Sequence, residues 1–121
     1  MQVKRKYLGL LYKFCEWKKP SRTTGKVLMQ MATFAKAVRD QVEQLNEVEL
    51  TIGKRFIPDF DGTFNPTQQK ELKEFEKEIK SVYEEEIELP EAHKFSLTMW
   101  ENFPGSSFEL ADLIDLELME E

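Results

Sequence analysis

Between Thr23 and Ile52 the apolar residues fall at Leu28, Met31, Ala35, Val38, Val42, Leu45 and Ile52, in alternating steps of three and four, with Glu49 alone out of step. That spacing predicts one long amphipathic helix against which the other segments pack. Thr23 or Thr24 can cap its start by accepting a backbone N–H bond, and Gly53 stands where a left-handed residue would close its end. At about 1.5 Å per residue the helix runs to roughly 45 Å, long for a globular domain.

Helical spacing recurs on both sides of this element. Leu10, Phe14 and Trp17, with Tyr7 and Leu11, predict a short helix over Lys6 to Lys18, and Lys18-Lys19-Pro20-Ser21-Arg22 then breaks it, because a residue before proline is pushed out of helical angles. Two antiparallel helices follow from that break. Past Gly53 an extended segment meets an Asp61-Gly62 turn, and Asn65-Pro66 predicts the start of a third helix carrying Leu72, Phe75, Ile79 and Val82 or Tyr83. Its Lys and Glu residues form a solvated face. Alternation over Glu86 to Leu89, stopped by Pro90, predicts a short strand with Lys94 to Leu97 as its partner. Thr98 to Asn102 fits a helical turn, and Ser106 and Glu109 have the spacing of a capping box opening a last helix through Leu110, Leu113, Leu116 and Leu118. That helix is apolar on more than one side, so one side either lies deep in the domain or meets another subunit.

The expected fold is therefore mainly α with a little β (α+β): a helical hairpin around one long helix, further helices and a small two-stranded β element, in a single domain over residues 1–121. Forty per cent apolar and 33% charged residues suit a soluble protein, excluding both a disordered chain and a membrane span. Neither a signal peptide nor a transmembrane segment is evident. Cys15 is the only cysteine, which excludes an internal disulfide.

Charge adds what periodicity does not show. The net charge of −6 divides into +7 over residues 1–58 and −13 over residues 59–121. Either the halves fold against each other and neutralise, or a basic and an acidic surface address other molecules. Lys18, Lys19, Arg22 and Lys26, with Lys4, Arg5 and Lys6, form the basic candidate. Tyr12 and Trp17 stand nearby, but overall acidity argues against nucleic acid as the partner. Glu84, Glu85, Glu86 and Glu88, with the acids of the C-terminus, form the opposite candidate, a phosphate-mimicking surface.

No constellation predicts catalysis. Asp59-Phe60-Asp61-Gly62-Thr63 resembles the first motif of haloacid-dehalogenase-like phosphatases, yet Pro58 precedes it and no parallel βαβ architecture is visible, so it reads as a turn with two acids. His93, the only histidine, lies beside Pro90 and Ala92 with no nucleophile or carboxylate at a recognisable spacing. No zinc motif or phosphate-binding glycine loop is present, and no cofactor or metal is expected.

The Leu10-Leu11-Tyr12-Lys13-Phe14 segment, the Lys18-Lys19-Pro20-Ser21-Arg22 connection into a long helix, and the Glu84–Leu89 stretch before a final helix together resemble a family of small bacteriophage proteins of unknown function encoded near tail genes. The resemblance implies a phage protein, in the virion or the host cytoplasm, that acts through binding. The expected function is thus non-enzymatic: a structural or assembly protein with a phage or host protein partner, able to form a homo-oligomer. The alternative is an acidic inhibitor of a host nucleic-acid-handling or defence protein. The candidate contact residues are Lys18, Lys19 and Arg22, the acids Glu84, Glu85, Glu86 and Glu88, and Leu113 and Leu116 on the last helix.

Overall fold

A computed structural model describes residues 1–121. The elements run β1 (Gln2–Lys4), α1 (Leu8–Glu16), α2 (Gly25–Phe56), α3 (Gln69–Glu84), β2 (Glu86–Glu88), β3 (Phe95–Ser96), α4 (Ser107–Asp115) and β4 (Met119–Glu120), with 3-10 turns at Arg5–Tyr7 and Leu97–Met99. The chain is mainly helical with a little β, as its periodicity predicts.

Thr24 opens α2, its hydroxyl accepting the Val27 N–H at 3.4 Å. The far end departs from expectation, because Gly53 does not close the helix but lies inside it. A Cβ at Gly53 would sit 2.1 Å from Cδ2 of Phe60, so glycine is required there by the approach of a ring and not by a left-handed turn. The helix ends where Ile57, preceding Pro58, takes extended angles and donates its N–H to the Gly53 carbonyl at 2.9 Å. Its 32 residues span about 48 Å.

The antiparallel hairpin of α1 and α2 forms as predicted, with α1 shortened by the 3-10 turn before it and by Trp17, which is already extended. Leu8, Leu11 and Phe14 of α1 are buried, as are Met31, Phe34 and Val38 of α2. Phe34 lies outside the seam expected from spacing. The third helix starts later than its Asn-Pro signal. Asn65 Oδ1 accepts both the N–H and the hydroxyl of Thr67, at 3.1 and 2.6 Å, and this local turn uses up the residues that would have made a first helical turn.

The sheet pairing is a correction. β2 does not pair with residues 94–97 but antiparallel with β1, placing Val3 opposite Ile87 and Lys4 opposite Glu86. Residues 95–96 instead pair in parallel with β4, Phe95 opposite Met119. At α4 both arms of the Ser106–Glu109 capping box form, at 3.1 Å each. The helix stops at Asp115, before the expected Leu118, in a Schellman closure. There Leu118 N–H bonds to the Leu113 carbonyl, Glu117 N–H bonds to the Ile114 carbonyl, and Glu117 takes a φ of 62°.

Two apolar clusters share α2. The main core draws 14 buried residues from both ends of the chain, among them Val3, Phe14, Phe34, Phe95, Leu113 and Met119. At the other end of α2, Ile52, Ile57, Phe60 and Ile79 are buried under α3 and the loop preceding it.

Candidate functional site

The acidic run is exposed, but most of it is paired within the chain. Because β1 lies antiparallel to β2, the basic N-terminus comes alongside it, and Glu84 takes Lys4 at 2.9 Å and Lys6 at 3.4 Å. Arg5 holds Glu85 at 2.7 Å, and the N-terminal ammonium reaches Glu88 at 3.2 Å. Of the four glutamates proposed to meet a partner, Glu86 alone forms no such ion pair. Lys4, donating a hydrogen bond and lying close by, holds the Glu84 carboxyl below its usual range. Lys13 with Glu109 and Arg55 with Glu78 continue the same pairing of the first half with the second.

The basic candidates divide. Lys18 and Arg22 are exposed on the α1–α2 connection. Lys19, expected as a contact residue, turns inward. Its ammonium lies 4.0 Å from the ring centroid of Phe14 and 5.5 Å from those of Phe95 and Trp100, and donates a hydrogen bond to the Phe14 carbonyl. Burial pushes its pKa down to about 8. Lys19 therefore braces an aromatic cluster, and a partner does not reach it as a free charge.

On α4 the expectation is also corrected. Leu113 is fully buried in the core and Leu116 is half-buried against it, so the core claims the predicted contact side. The exposed large apolar residue of this helix is Phe108, 84% accessible in the first turn. On α2, Met29 is 71% accessible beside half-exposed Leu28. Spacing alone did not single out Phe108 or Met29, since both lie off the periodic seams; the signal available was a large apolar side chain on the predicted polar side.

The remaining motif residues take structural positions. Asp61 Oδ1 accepts the Thr63 N–H at 3.1 Å and its hydroxyl at 2.9 Å, which lowers its pKa and locks the Asp-Gly turn, while Gly62 takes a φ of 109°. His93 stacks edge-on against Phe95 at 4.8 Å. Burial pushes the Cys15 thiol up to about 11, keeping it protonated. No group of three or more His, Cys, Asp or Glu side chains is gathered as for a metal ion. No helix is long and apolar enough to cross a membrane.

Comparisons with family models, with curated proteins and with solved structures gave no match.

Proposed function

We propose that this chain is a small non-enzymatic phage structural or assembly protein that works by binding another protein, through apolar residues on α4 and the first turns of α2. The supporting observation is Phe108. It is 84% accessible on a helix fixed at its start by the Ser106–Glu109 side-chain capping box and at its end by a backbone closure, so the ring is presented on a rigid support. Aromatic anchors of this kind supply contact area at small entropic cost. Lys4, Arg5, Lys6, Lys13 and Arg55 already pair with glutamates of the second half, and such exposed pairs are weak and screened by salt, so the proposal rests on apolar contact. The alternative reading as an acidic inhibitor draws no support from the placement of Glu84, Glu85 and Glu88.

Absolute mass by light scattering at low and high salt tests the proposal. The expected result is a mass above the 14.3 kDa of one chain that persists in high salt. Replacing Phe108 and Met29 together by Ser should return it to the monomer with the helical content unchanged, because neither side chain is buried within the chain. A monomer at every salt concentration supports the proposal only if it binds a virion protein and the double substitution abolishes that binding. A monomer that binds none of them overturns it.

A further inference from the structure

Between α2 and α3 lies a cavity of about 540 Å³ that shares no residue with the Phe108 and Met29 surfaces. Its size is that of a small-ligand site. Phe60, Phe64, Phe75 and Tyr83 supply aromatic walls, Glu49, Asp61 and Glu76 supply carboxylates, and neither Lys nor Arg is among the lining residues. The walls are set in place. Phe60 is seated on Gly53, and the three phenylalanine rings pack on one another with centroids 4.7 to 6.0 Å apart. Tyr83 donates its hydroxyl to Glu49 Oε1 at 3.1 Å, fixing the carboxylate at the junction with the α1 side of the groove. The adjoining groove towards α1, which shares Asn46, Glu49 and Tyr83 with the cavity, carries Arg5 and Lys6, but these are paired with Glu85 and Glu84; Lys80 lines a shallow depression past Tyr83 that also contains Lys6 and Glu84.

Aromatic rings and carboxylates, with no cation among the lining residues, give this partly open space a negative potential. An anion is repelled there, and a neutral apolar molecule gains only its burial. We infer that this cavity binds a small organic cation with an apolar body, an aryl- or alkylammonium, its charge among the carboxylates and its body against Phe64 and Phe75.

The test titrates the intact protein with three probes that share a benzyl group: benzyltrimethylammonium, benzyl alcohol and phenylmethanesulfonate, followed by amide chemical shifts. The cation should bind about tenfold more tightly than the alcohol, the sulfonate should not bind, and the shifts should map to residues 46–50, 60–64 and 72–83. The double substitution Glu49→Gln with Glu76→Gln keeps the shape of the wall and an acceptor for Tyr83. It should reduce cation affinity about tenfold while leaving the rest of the amide spectrum in place. Equal affinity for cation and alcohol, a double variant that binds undiminished, shifts mapping elsewhere, or no binding of the cation at millimolar concentration each overturns the inference.

Discussion

Lys19 shows two environments competing over one side chain. Loss of hydration favours the neutral amine, while the Phe14 ring at 4.0 Å and the Phe14 carbonyl favour the ammonium. Burial wins, and the pKa falls from 10.5 to about 8. The folded protein therefore binds fewer protons at this site than the unfolded chain between those two values. The cost of charging Lys19 is present in full below pH 8 and is relieved as the pH rises towards 10.5. Over this window the stability of the native protein should increase relative to Lys19→Met, with a slope of at most about 1.4 kcal/mol per pH unit. Both proteins carry Cys15→Ala, because the raised Cys15 thiol acts in the opposite sense as the pH rises and interacts directly with Lys19; taking the difference then removes the N-terminal amine, whose raised pKa acts in that opposite sense too. Urea unfolding of both proteins at successive pH values measures it; a native protein that loses ground to Lys19→Met across the window contradicts this account. Nothing in Lys18-Lys19-Pro20 distinguishes the buried lysine from the exposed one. The distinction is made by Phe95 and Trp100, which arrive from the other end of the chain.

Among elements, the long helix and the last helix were the most legible, because their signals are local: a seam of steps of three and four, a threonine cap, and a capping box spanning four residues. The misread positions depend on a distant neighbour. Gly53 has the sequence context of a helix terminator, but the ring of Phe60, carried back by the turn after Ile57, makes it a packing position inside the helix. Gly53→Ala tests this directly. In an open helix the change would stabilise by about 1 kcal/mol. Here the added methyl would meet Phe60 at 2.1 Å, and the expected outcome is a net loss of about 1–3 kcal/mol by chemical denaturation. Shortening the ring by Phe60→Ala should remove most of that penalty, so in the Phe60→Ala background Gly53→Ala should be close to neutral or stabilising. If Gly53→Ala stabilises with Phe60 intact, the ring does not press on the helix as described. The candidate site failed at the same level. Leu113 is an apolar helix position as its spacing predicts, whereas Leu116 falls in the closure just past Asp115, and spacing could not show which side of α4 the core would claim.

For the whole molecule, the division into a basic and an acidic half was plain in the sequence, whereas the place where the halves meet was not, because strand pairing between residues 2–4 and 86–88 leaves no mark in either segment alone. The meeting place is one seam. Main-chain bonds from Leu89 N–H to the Met1 carbonyl at 2.8 Å and from Arg5 N–H to the Glu85 carbonyl at 3.0 Å flank the pair of strands. Val3 lies beneath them at 3% accessibility, and the ion pairs of Lys4, Arg5 and Lys6 run along the outside. Exposed ion pairs contribute little and are screened by salt, whereas the burial of a valine is not. The strand should therefore be held by Val3, while the charges select its partner and register. Val3→Ala should cost about 2 kcal/mol, equally at low and high salt. Glu84→Lys, which reverses the carboxylate shared by Lys4 and Lys6, should cost less than Val3→Ala, and its cost should shrink as salt rises. Denaturant unfolding of the three proteins at two salt concentrations separates the terms. If Glu84→Lys costs more than Val3→Ala and salt does not relieve it, electrostatic pairing and not apolar burial joins the two halves of the chain.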